Sequence, residues 1–163
     1  MVRKGLPLIF IVDDDPVYLS MIADFLINEN YTRIMTFSSG KDCLKAMEQE
    51  PEIVFLDHNM DIMNGIEVLK AIHNQFPNTA VIFLSAQESV KVALDALKYG
   101  AYDYIIKGDS TFSRIKMNVL KVRKFNKVLR ENLLFKKQKK TMALSFAIFI
   151  LLIVAVVLFS GKV

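Results

Sequence analysis

The run IFIVDD at residues 9–14 is a short apolar stretch that ends in two carboxylates, and three later runs have the same form. They are IVFLD at 53–57, VIFLS at 81–85 and YDYIIK at 102–107, each ending in a polar or charged residue. Short apolar runs with polar boundaries are typical of buried strands. In an open α/β sheet, sites form outside the carboxyl ends of the strands. The four run ends therefore predict one site at one edge of a parallel sheet.

Strand-like and helical patterns alternate along the first 135 residues. Strand-like runs are predicted near residues 7–12, 32–37, 53–57, 80–84 and 102–106. Helical patterns are predicted near residues 16–28, 39–49, 65–75, 88–98 and 112–135. Five strand–helix units in succession predict an α/β fold, in which a parallel sheet carries helices on both faces.

Residues at the predicted helix starts are of the types that begin helices. Asp15 followed by Pro16 is typical of an N-cap with proline at the first helical position. Either Ser38 or Ser39 can cap the second helix. These residues support the predicted boundaries.

Charge divides the chain of 163 residues into two parts. Residues 1–110 carry 9 Lys and Arg against 16 Asp and Glu, a net charge of −7, whereas residues 111–163 carry 12 against 1, a net charge of +11. The basic character therefore belongs to the carboxyl-terminal part. Nucleic-acid binding is not expected, because after residue 125 the sequence holds only a helix and an apolar segment. The single cysteine, Cys43, excludes an intramolecular disulfide and is expected to be buried.

The last predicted helix is longer than the domain needs, since residues 112–140 contain no Gly or Pro. At about 1.5 Å per residue it would extend roughly 40 Å. Its seam residues, spaced alternately by three and four, are Phe112, Ile115, Val119, Val122, Asn126, Leu129 and Leu133. Such spacing is typical of a coiled coil, and one polar seam residue can specify two strands, so a homodimer is one hypothesis. The alternative for residues 112–122 is packing against the sheet.

Residues 142–161 carry no charged side chain. About 20 helical residues match a hydrocarbon core of roughly 30 Å, so the segment is predicted to be a transmembrane helix, with a buried core helix as the alternative. Lysines at 136, 137, 139 and 140 lie immediately before it, and only Lys162 follows. This asymmetry predicts a single-pass tail anchor in the cytoplasmic membrane, with the amino-terminal domain facing the cytoplasm.

Three carboxylates are predicted to meet at the sheet edge: Asp13 and Asp14 after the first strand, and Asp57 after the third. Carboxylate oxygens are the ligands that Mg²⁺ prefers. A carboxylate can also act as a nucleophile and form an aspartyl-phosphate. Lys107 would then place a positive charge beside the phosphoryl oxygens, and the Ser85 hydroxyl could donate a hydrogen bond to one of them. Taken singly, each residue also has an ordinary structural reading, such as a helix cap.

As an ordered set, the motifs IFIVDDDP, IVFLDHNMDIMNGIEVL, VIFLSAQ and GAYDYIIKG resemble the receiver domain of two-component response regulators. The resemblance covers about residues 5–125. It implies a five-stranded, doubly wound parallel sheet in the flavodoxin-like order 2-1-3-4-5. With the remaining sequence it predicts a receiver domain at 1–125, a basic helical linker and coiled-coil candidate at 126–141, and a transmembrane helix at 142–161.

The resemblance also implies roles for individual residues. Asp57 would be the phosphoacceptor, and Lys107 and Ser85 would complete the catalytic set. Ser85 and Tyr104 would be the switch residues, with Ser85 drawn toward the phosphoryl group and Tyr104 turning inward. Mg²⁺ would be held by Asp13, Asp14, Asp57 and the backbone carbonyl of Asn59.

Two positions depart from the usual receiver pattern. Gly108 stands where the family usually has proline after the lysine, and Asp61 stands where it often has proline after the methionine. Gly108 would loosen the presentation of Lys107, and the charge of Asp61 would slightly disfavour the phosphorylated form. Neither removes a reacting group. His58, next to Asp57, is expected to point into solvent.

The leading hypothesis is a membrane-tethered response regulator that accepts a phosphoryl group on Asp57 from a histidine kinase or phosphotransfer protein. It would signal through protein contacts, and phosphorylation is expected to alter self-association of residues 1–140. It is not expected to be an enzyme, although such receivers promote their own phosphoryl transfer and hydrolysis. The alternative is a membrane-anchored protein-binding module that works without phosphorylation, which only Gly108 and Asp61 support.

Overall fold

The computed structural model describes residues 5–61, 63–86 and 89–160, and for 147–150 and 152–160 it describes the backbone only. Strands and helices alternate in these residues, as predicted. The strands are β1 (Ile9–Val12), β2 (Ile34–Phe37), β3 (Ile53–Asp57), β4 (Ala80–Ser85) and β5 (Asp103–Ile106). The helices are α1 (Pro16–Asn28), α2 (Gly40–Ala46), α3 (Gly65–Gln75), α4 (Val90–Lys98) and α5 (Thr111–Ser160), and a 3₁₀ turn follows α2 at Met47–Gln49.

The five strands form one parallel sheet in the order β2-β1-β3-β4-β5. This order confirms the doubly wound α/β topology. The register pairs Val12 with Leu56, Asp57 with Leu84, and Ser85 with Ile106. The strand ends are therefore level with one another, and the residues that follow them lie along one edge.

Side chains alternate between the two faces of the sheet, so each strand supplies both halves of the core. Phe10 and Leu56 belong to the apolar cluster that includes residues of α2 and α3. Ile11 and Phe55 belong to the cluster that includes residues of α1 and α5. Each large apolar side chain buried in this way stabilises the fold by about 1.5–3 kcal/mol. Burial also raises the pKa of the Cys43 thiol to about 12, which agrees with the predicted apolar role.

Capping side chains set the starts of the first two helices. The Asp15 carboxylate accepts hydrogen bonds from the N–H groups of Val17 and Tyr18, at 2.8 and 3.4 Å, and Pro16 occupies the first helical position. The hydroxyl of Ser39, and not that of Ser38, accepts the cap hydrogen bond of α2 from Asp42 N–H at 3.2 Å. Because these caps satisfy amide groups that lack intrahelical partners, they hold the loops after β1 and β2 in place.

The first part of α5 packs against the sheet. Ile115, Val119 and Val122 are buried in the cluster shared with α1. The sheet-packing interpretation of residues 112–122 is therefore correct, and this half of the predicted seam is part of the domain core.

The structure divides into two units, the first ending at Arg123 and the second beginning at Lys124. In the second unit, the large apolar side chains of α5 are about half exposed. Those between residues 125 and 135 are Phe125, Val128, Leu129, Leu133, Leu134 and Phe135. A coiled coil through this segment stays a prediction.

The predicted transmembrane helix, at residues 142–161, lies largely outside the described side chains, although the backbone of α5 is described as far as Ser160. Within the described part of the chain, no helix combines the length and the apolar character needed to cross a membrane.

Candidate functional site

The carboxyl ends of four strands place the predicted site residues along one edge. Asp13 follows β1, Asp57 is the last residue of β3, Ser85 is the last residue of β4, and Lys107 follows β5. The first three are buried, with 1%, 4% and 1% of their surface exposed. Polar side chains buried to this extent need partners, because an unpaired buried charge is strongly unfavourable. Their neighbours at this edge therefore decide the chemistry of the site.

Lys107 joins the ends of the first and third strands. Its Nζ atom lies 2.7 Å from Asp13 Oδ2 and 2.6 Å from Asp57 Oδ1, and its side chain is 17% exposed. The same Nζ atom lies 4.1 Å from the centre of the Tyr18 ring, on α1. An ammonium group at this distance over an aromatic face is attracted to it. The strand ends predicted that Lys107, Asp13 and Asp57 share one edge, but not that they form ion pairs. The contact with Tyr18 was missed because α1 gave no signal for it.

Three of the four predicted metal ligands, the carboxylates, converge. Asp13, Asp14 and Asp57 each place a carboxylate oxygen within 4.8 Å of the others, and Asp14 is the least buried of the three. Oxygen donors gathered in this way fit a hard divalent cation such as Mg²⁺. Asp14 Oδ2 accepts a hydrogen bond from the backbone N–H of Asp61 at 3.0 Å. Asp61, whose charge was expected to disfavour phosphorylation, thus also connects the loop after β3 to the end of β1 through its backbone.

Asn59 lies in the loop after β3, and its side chain is exposed. Its backbone N–H donates a hydrogen bond to the Asp57 carboxylate. The structure therefore brings the backbone of Asn59 to the site, where its amide group contacts Asp57. Its carbonyl group as a metal ligand stays a prediction.

Burial, hydrogen bonds and neighbouring charges shift the pKa values of two groups at the site. Burial raises the pKa of the Asp57 carboxyl group, and the charge of Asp13 adds to this, while Lys107 and the Asn59 amide act in the opposite direction without cancelling it. Burial by itself lowers the pKa of Lys107, but its hydrogen bonds and ion pairs with Asp13 and Asp57 outweigh burial and raise it. With three carboxylates and one ammonium group, the site holds excess negative charge, which a divalent cation would offset.

Of the two predicted switch residues, Ser85 ends β4 and Tyr104 lies within β5. Ser85 lies at the site edge, where its backbone carbonyl accepts the Lys107 N–H at 2.8 Å. Tyr104 is 8% exposed, and its ring lies 6.3 Å from that of Phe83 with an angle of 22° between the planes. The ring of Tyr104 is thus already buried in this conformation. The predicted inward turn would have to start from a conformation in which the ring is exposed.

The prediction that His58 points into solvent is wrong. The side chain is 9% exposed, and its ring lies 5.5 Å from the ring of Phe83. The physical reason is that pairing with β4 continues past Asp57, since His58 N–H donates to the Leu84 carbonyl at 2.9 Å. The start of α3 then closes over this residue. A Cβ atom at Gly65 would contact the Asp57 carbonyl oxygen, so this close approach requires glycine.

The sequence matches the response regulator receiver domain over residues 9–117. It is 33% identical to the chemotaxis protein CheY of Thermotoga maritima over 100 residues, which cover 61% of this chain and 83% of the relative. It is 34% identical to a protein-glutamate methylesterase/protein-glutamine glutaminase of Clostridium acetobutylicum over 113 residues, which cover 67% of this chain. These residues span only 33% of the length of that relative.

Solved structures agree with this match. A CheY-like response regulator receiver domain protein from Methanospirillum hungatei JF-1 superposes with a TM-score of 0.66 at 26% identity, covering 74% of this chain and 98% of that one. The receiver domain of NtrX from Brucella abortus gives a TM-score of 0.63 at 26% identity, covering 69% and 98%. With its strand order, its acidic edge and a sequence match over most of its length, the chain belongs to the response regulator receiver domain family.

Proposed function

We propose that this receiver domain, residues 1–125, accepts a phosphoryl group on Asp57 from a histidine kinase or a phosphotransfer protein. The observation that carries the proposal is the position of Lys107, whose Nζ atom lies within ion-pair distance of both Asp57 and Asp13. A buried carboxylate at a strand end, with a fixed cation beside it, is suited to act as a nucleophile toward a phosphoryl group.

In the proposed reaction, a carboxylate oxygen of Asp57 forms a bond to phosphorus while the bond between phosphorus and the donor's imidazole nitrogen breaks. The electron pair of that bond leaves with the imidazole. Lys107 holds its positive charge beside the phosphoryl oxygens, and Ser85 donates its hydroxyl hydrogen bond to one of them. Bound Mg²⁺ would neutralise charge on the carboxylates and the phosphoryl oxygens, held by Asp13, Asp14, Asp57 and the carbonyl of Asn59.

The test is intact-mass spectrometry of the full chain, kept in a mild detergent and incubated with Mg²⁺ and acetyl phosphate. We expect one phosphoryl group per chain, and none when a chelator removes Mg²⁺, because the excess negative charge at the site then opposes the incoming phosphate. Absence of the adduct, with acetyl phosphate and also with a histidine-phosphorylated phosphotransfer protein, would favour the phosphorylation-independent binding module.

Output through protein contacts is part of the proposal. Large apolar side chains of α4 are exposed, with Val90 at 75%, Leu94 at 62% and Leu97 at 50%. Apolar side chains grouped on one helix are suited to a protein partner. Ser85 and Tyr104 would link the phosphoryl group to this side of the domain, and a homodimer through α5 stays a prediction. The match with the methylesterases covers a third of their length, so it supports the receiver role and not an esterase activity.

The second part of the proposal is that residues 142–161 tether the receiver to the cytoplasmic membrane. The support comes from the sequence: the segment has no charged side chain, and four lysines lie immediately before it. Residues 126–141 would then be the basic linker between receiver and membrane. Confinement at the membrane would raise the effective concentration of membrane-bound partners such as a sensor kinase.

Membrane fractionation tests the tether. After expression in a bacterial host, the full chain is expected to stay with the membranes through high salt and alkaline carbonate, because a spanning helix is held by the hydrophobic effect. A chain that ends at Thr141 is expected in the supernatant. A full chain with glutamine at 136, 137, 139 and 140 is the matched control and should remain in the membrane fraction. Release of the unmodified chain by salt alone would contradict the tether and indicate an electrostatic surface association.

A further inference from the structure

We propose that Thr111 is a positioning residue for Lys107, because its hydroxyl group closes the loop between β5 and α5 on both sides of that lysine. The inference rests on the proposed phosphoryl acceptance at Asp57, and it adds the means by which this chain holds its cation in place. Nothing in the sequence pattern singled out Thr111, which lies four residues after Lys107 at the first position of α5.

The contacts of Thr111 enclose the lysine. Its side chain is 1% exposed, and its Oγ1 atom accepts the backbone N–H of Gly108 at 2.7 Å. The same hydroxyl donates to the carbonyl of Ile106 at 3.3 Å, and the Thr111 N–H donates to the carbonyl of Gly108 at 3.0 Å. One buried residue therefore binds the backbone of both neighbours of Lys107.

Lys107 itself makes a backbone contact on the other side. Its N–H donates to the carbonyl of Ser85 at 2.8 Å. The backbone of the lysine is thus held between the end of β4 and the start of α5. A lysine side chain has many rotamers, so the position of its Nζ atom between two carboxylates depends on the position of its own backbone.

Gly108 explains why a hydroxyl is needed here. Glycine is the most permissive residue, and a Cβ atom at Gly108 would meet nothing within 4 Å, so packing does not restrict this position. The Gly108 N–H is available as a donor, and Thr111 Oγ1 is its acceptor. The hydrogen bond restrains a loop that glycine would otherwise leave mobile. The loosening predicted from Gly108 is therefore countered by Thr111.

The experiment compares three variants of the full chain in mild detergent. Thr111→Val keeps the shape and removes the hydroxyl, whereas Thr111→Ser keeps the hydroxyl. Thr79→Val is the matched control, because Thr79 donates a hydroxyl hydrogen bond to the Pro51 carbonyl at 2.9 Å, next to the amino-terminal end of β4. It removes the same kind of bond at the opposite edge of the sheet. The rate of adduct formation with acetyl phosphate and Mg²⁺ is measured for each.

Phosphorylation of Thr111→Val is expected to be about tenfold slower, since small displacements of a reacting group lower rates strongly. Thr111→Ser and Thr79→Val are expected to react at nearly the wild-type rate. A wild-type rate in Thr111→Val would overturn the proposal. So would failure of the serine variant to restore the rate, or equal slowing in Thr79→Val, since a general loss of stability would then explain the effect.

A second measurement decides the inference even if Asp57 accepts no phosphoryl group. Amine labelling followed by mass spectrometry compares the reactivity of Lys107 with that of Lys116, an exposed lysine of α5. In the wild type, ion pairs with Asp13 and Asp57 should make Lys107 the slower of the two. Thr111→Val should label Lys107 several times faster, with Thr111→Ser and Thr79→Val unchanged. Unchanged labelling in Thr111→Val would refute the positioning role. An unphosphorylated wild type with the expected labelling would refute only the proposed function.

Discussion

Replacing Asp57 with asparagine is expected to abolish phosphoryl acceptance and to make the metal-free protein more stable at neutral pH. The amide has nearly the same shape but is not a nucleophile, so no adduct should form. The stability change follows from the pKa of Asp57, which burial raises above its ordinary value of 3.8. A raised pKa means that the folded protein holds the charged carboxylate less favourably than the unfolded chain does.

The pH dependence of this gain has a defined sign. Well below pH 3.8 the carboxyl group is protonated in both states, so asparagine offers no advantage. As the pH rises from there through the raised pKa of the folded state, wild-type Asp57 loses its proton and the folded state loses relative stability. The advantage of the variant is therefore complete once the pH exceeds the raised pKa of the folded state. We expect a gain of about 1 kcal/mol in the free energy of unfolding, the size of a typical single-substitution effect. Lys107 is not left unpaired in this variant, because it keeps its ion pair with Asp13.

Urea denaturation in the presence of a chelator, at pH 4 and at pH 7, measures this change. Adding Mg²⁺ should stabilise the wild type more than the variant, by up to about 2.7 kcal/mol at 100 times the dissociation constant. Asp42→Asn is the matched control. The hydrogen bond from Lys45, together with that from Ser39, lowers the pKa of this exposed carboxyl group, so its replacement should slightly reduce stability and leave the Mg²⁺ response unchanged. A less stable Asp57→Asn protein at pH 7 would contradict the electrostatic account of the site.

Replacing Lys107 with methionine is expected to have the opposite effect on stability. Without the ammonium group, the buried carboxylates of Asp13 and Asp57 face each other uncompensated. Breaking a buried ion pair costs about 3–5 kcal/mol, and the 17% exposure of the lysine side chain reduces our expectation to roughly 2 kcal/mol in metal-free protein. Phosphorylation by acetyl phosphate should also slow by roughly 100-fold, as when one fixed group that stabilises a developing charge is removed.

The pH dependence of stability tests whether Lys107 stabilises the folded protein. Burial lowers the pKa of Lys107, but its partners Asp13 and Asp57 outweigh this and raise it above 10.5. Its stabilising effect is therefore complete below pH 10.5 and is lost only as the pH rises through the folded-state value. Urea denaturation should show the full difference between wild type and Lys107→Met at both pH 7 and pH 9.

Two further variants separate the causes of the Lys107 effect. Lys116→Met removes an exposed ion pair with Glu29, whose atoms lie 2.8 Å apart, and should cost less than about 1 kcal/mol. The double variant Asp13→Asn with Lys107→Met should recover much of the lost stability but not the phosphorylation rate. If the double variant is as unstable as Lys107→Met, lost packing and not carboxylate repulsion is the cause.

Much of the site was predictable from sequence because its residues follow strands. Asp13, Asp57 and Lys107 each come directly at or after the end of an apolar run, and parallel strands in register bring such ends together. Local sequence also predicted that Asp15 caps α1 and that Pro16 occupies its first position. These features depend on short stretches of chain and on the two-residue period of a strand.

Other features of the site depended on contacts between distant parts of the chain. Lys107 and Asp13 are 94 residues apart. Tyr18, whose ring lies beneath the ammonium group, belongs to α1, far along the chain from Lys107. The burial of His58 depends on the approach of α3, which no local pattern revealed.

Local periodicity and chain direction were enough to predict the alternation of strands and helices, the helix caps and the edge at which the carboxylates gather. How those groups act on one another depended on the tertiary fold. It placed Lys107 within 2.7 Å of two carboxylates, buried Asp57 enough to raise its pKa, and closed the loop after β5 with the Thr111 hydroxyl. The physical reason is that Coulomb energies, burial and hydrogen bonds depend on distances of a few ångströms between groups that the chain order leaves far apart.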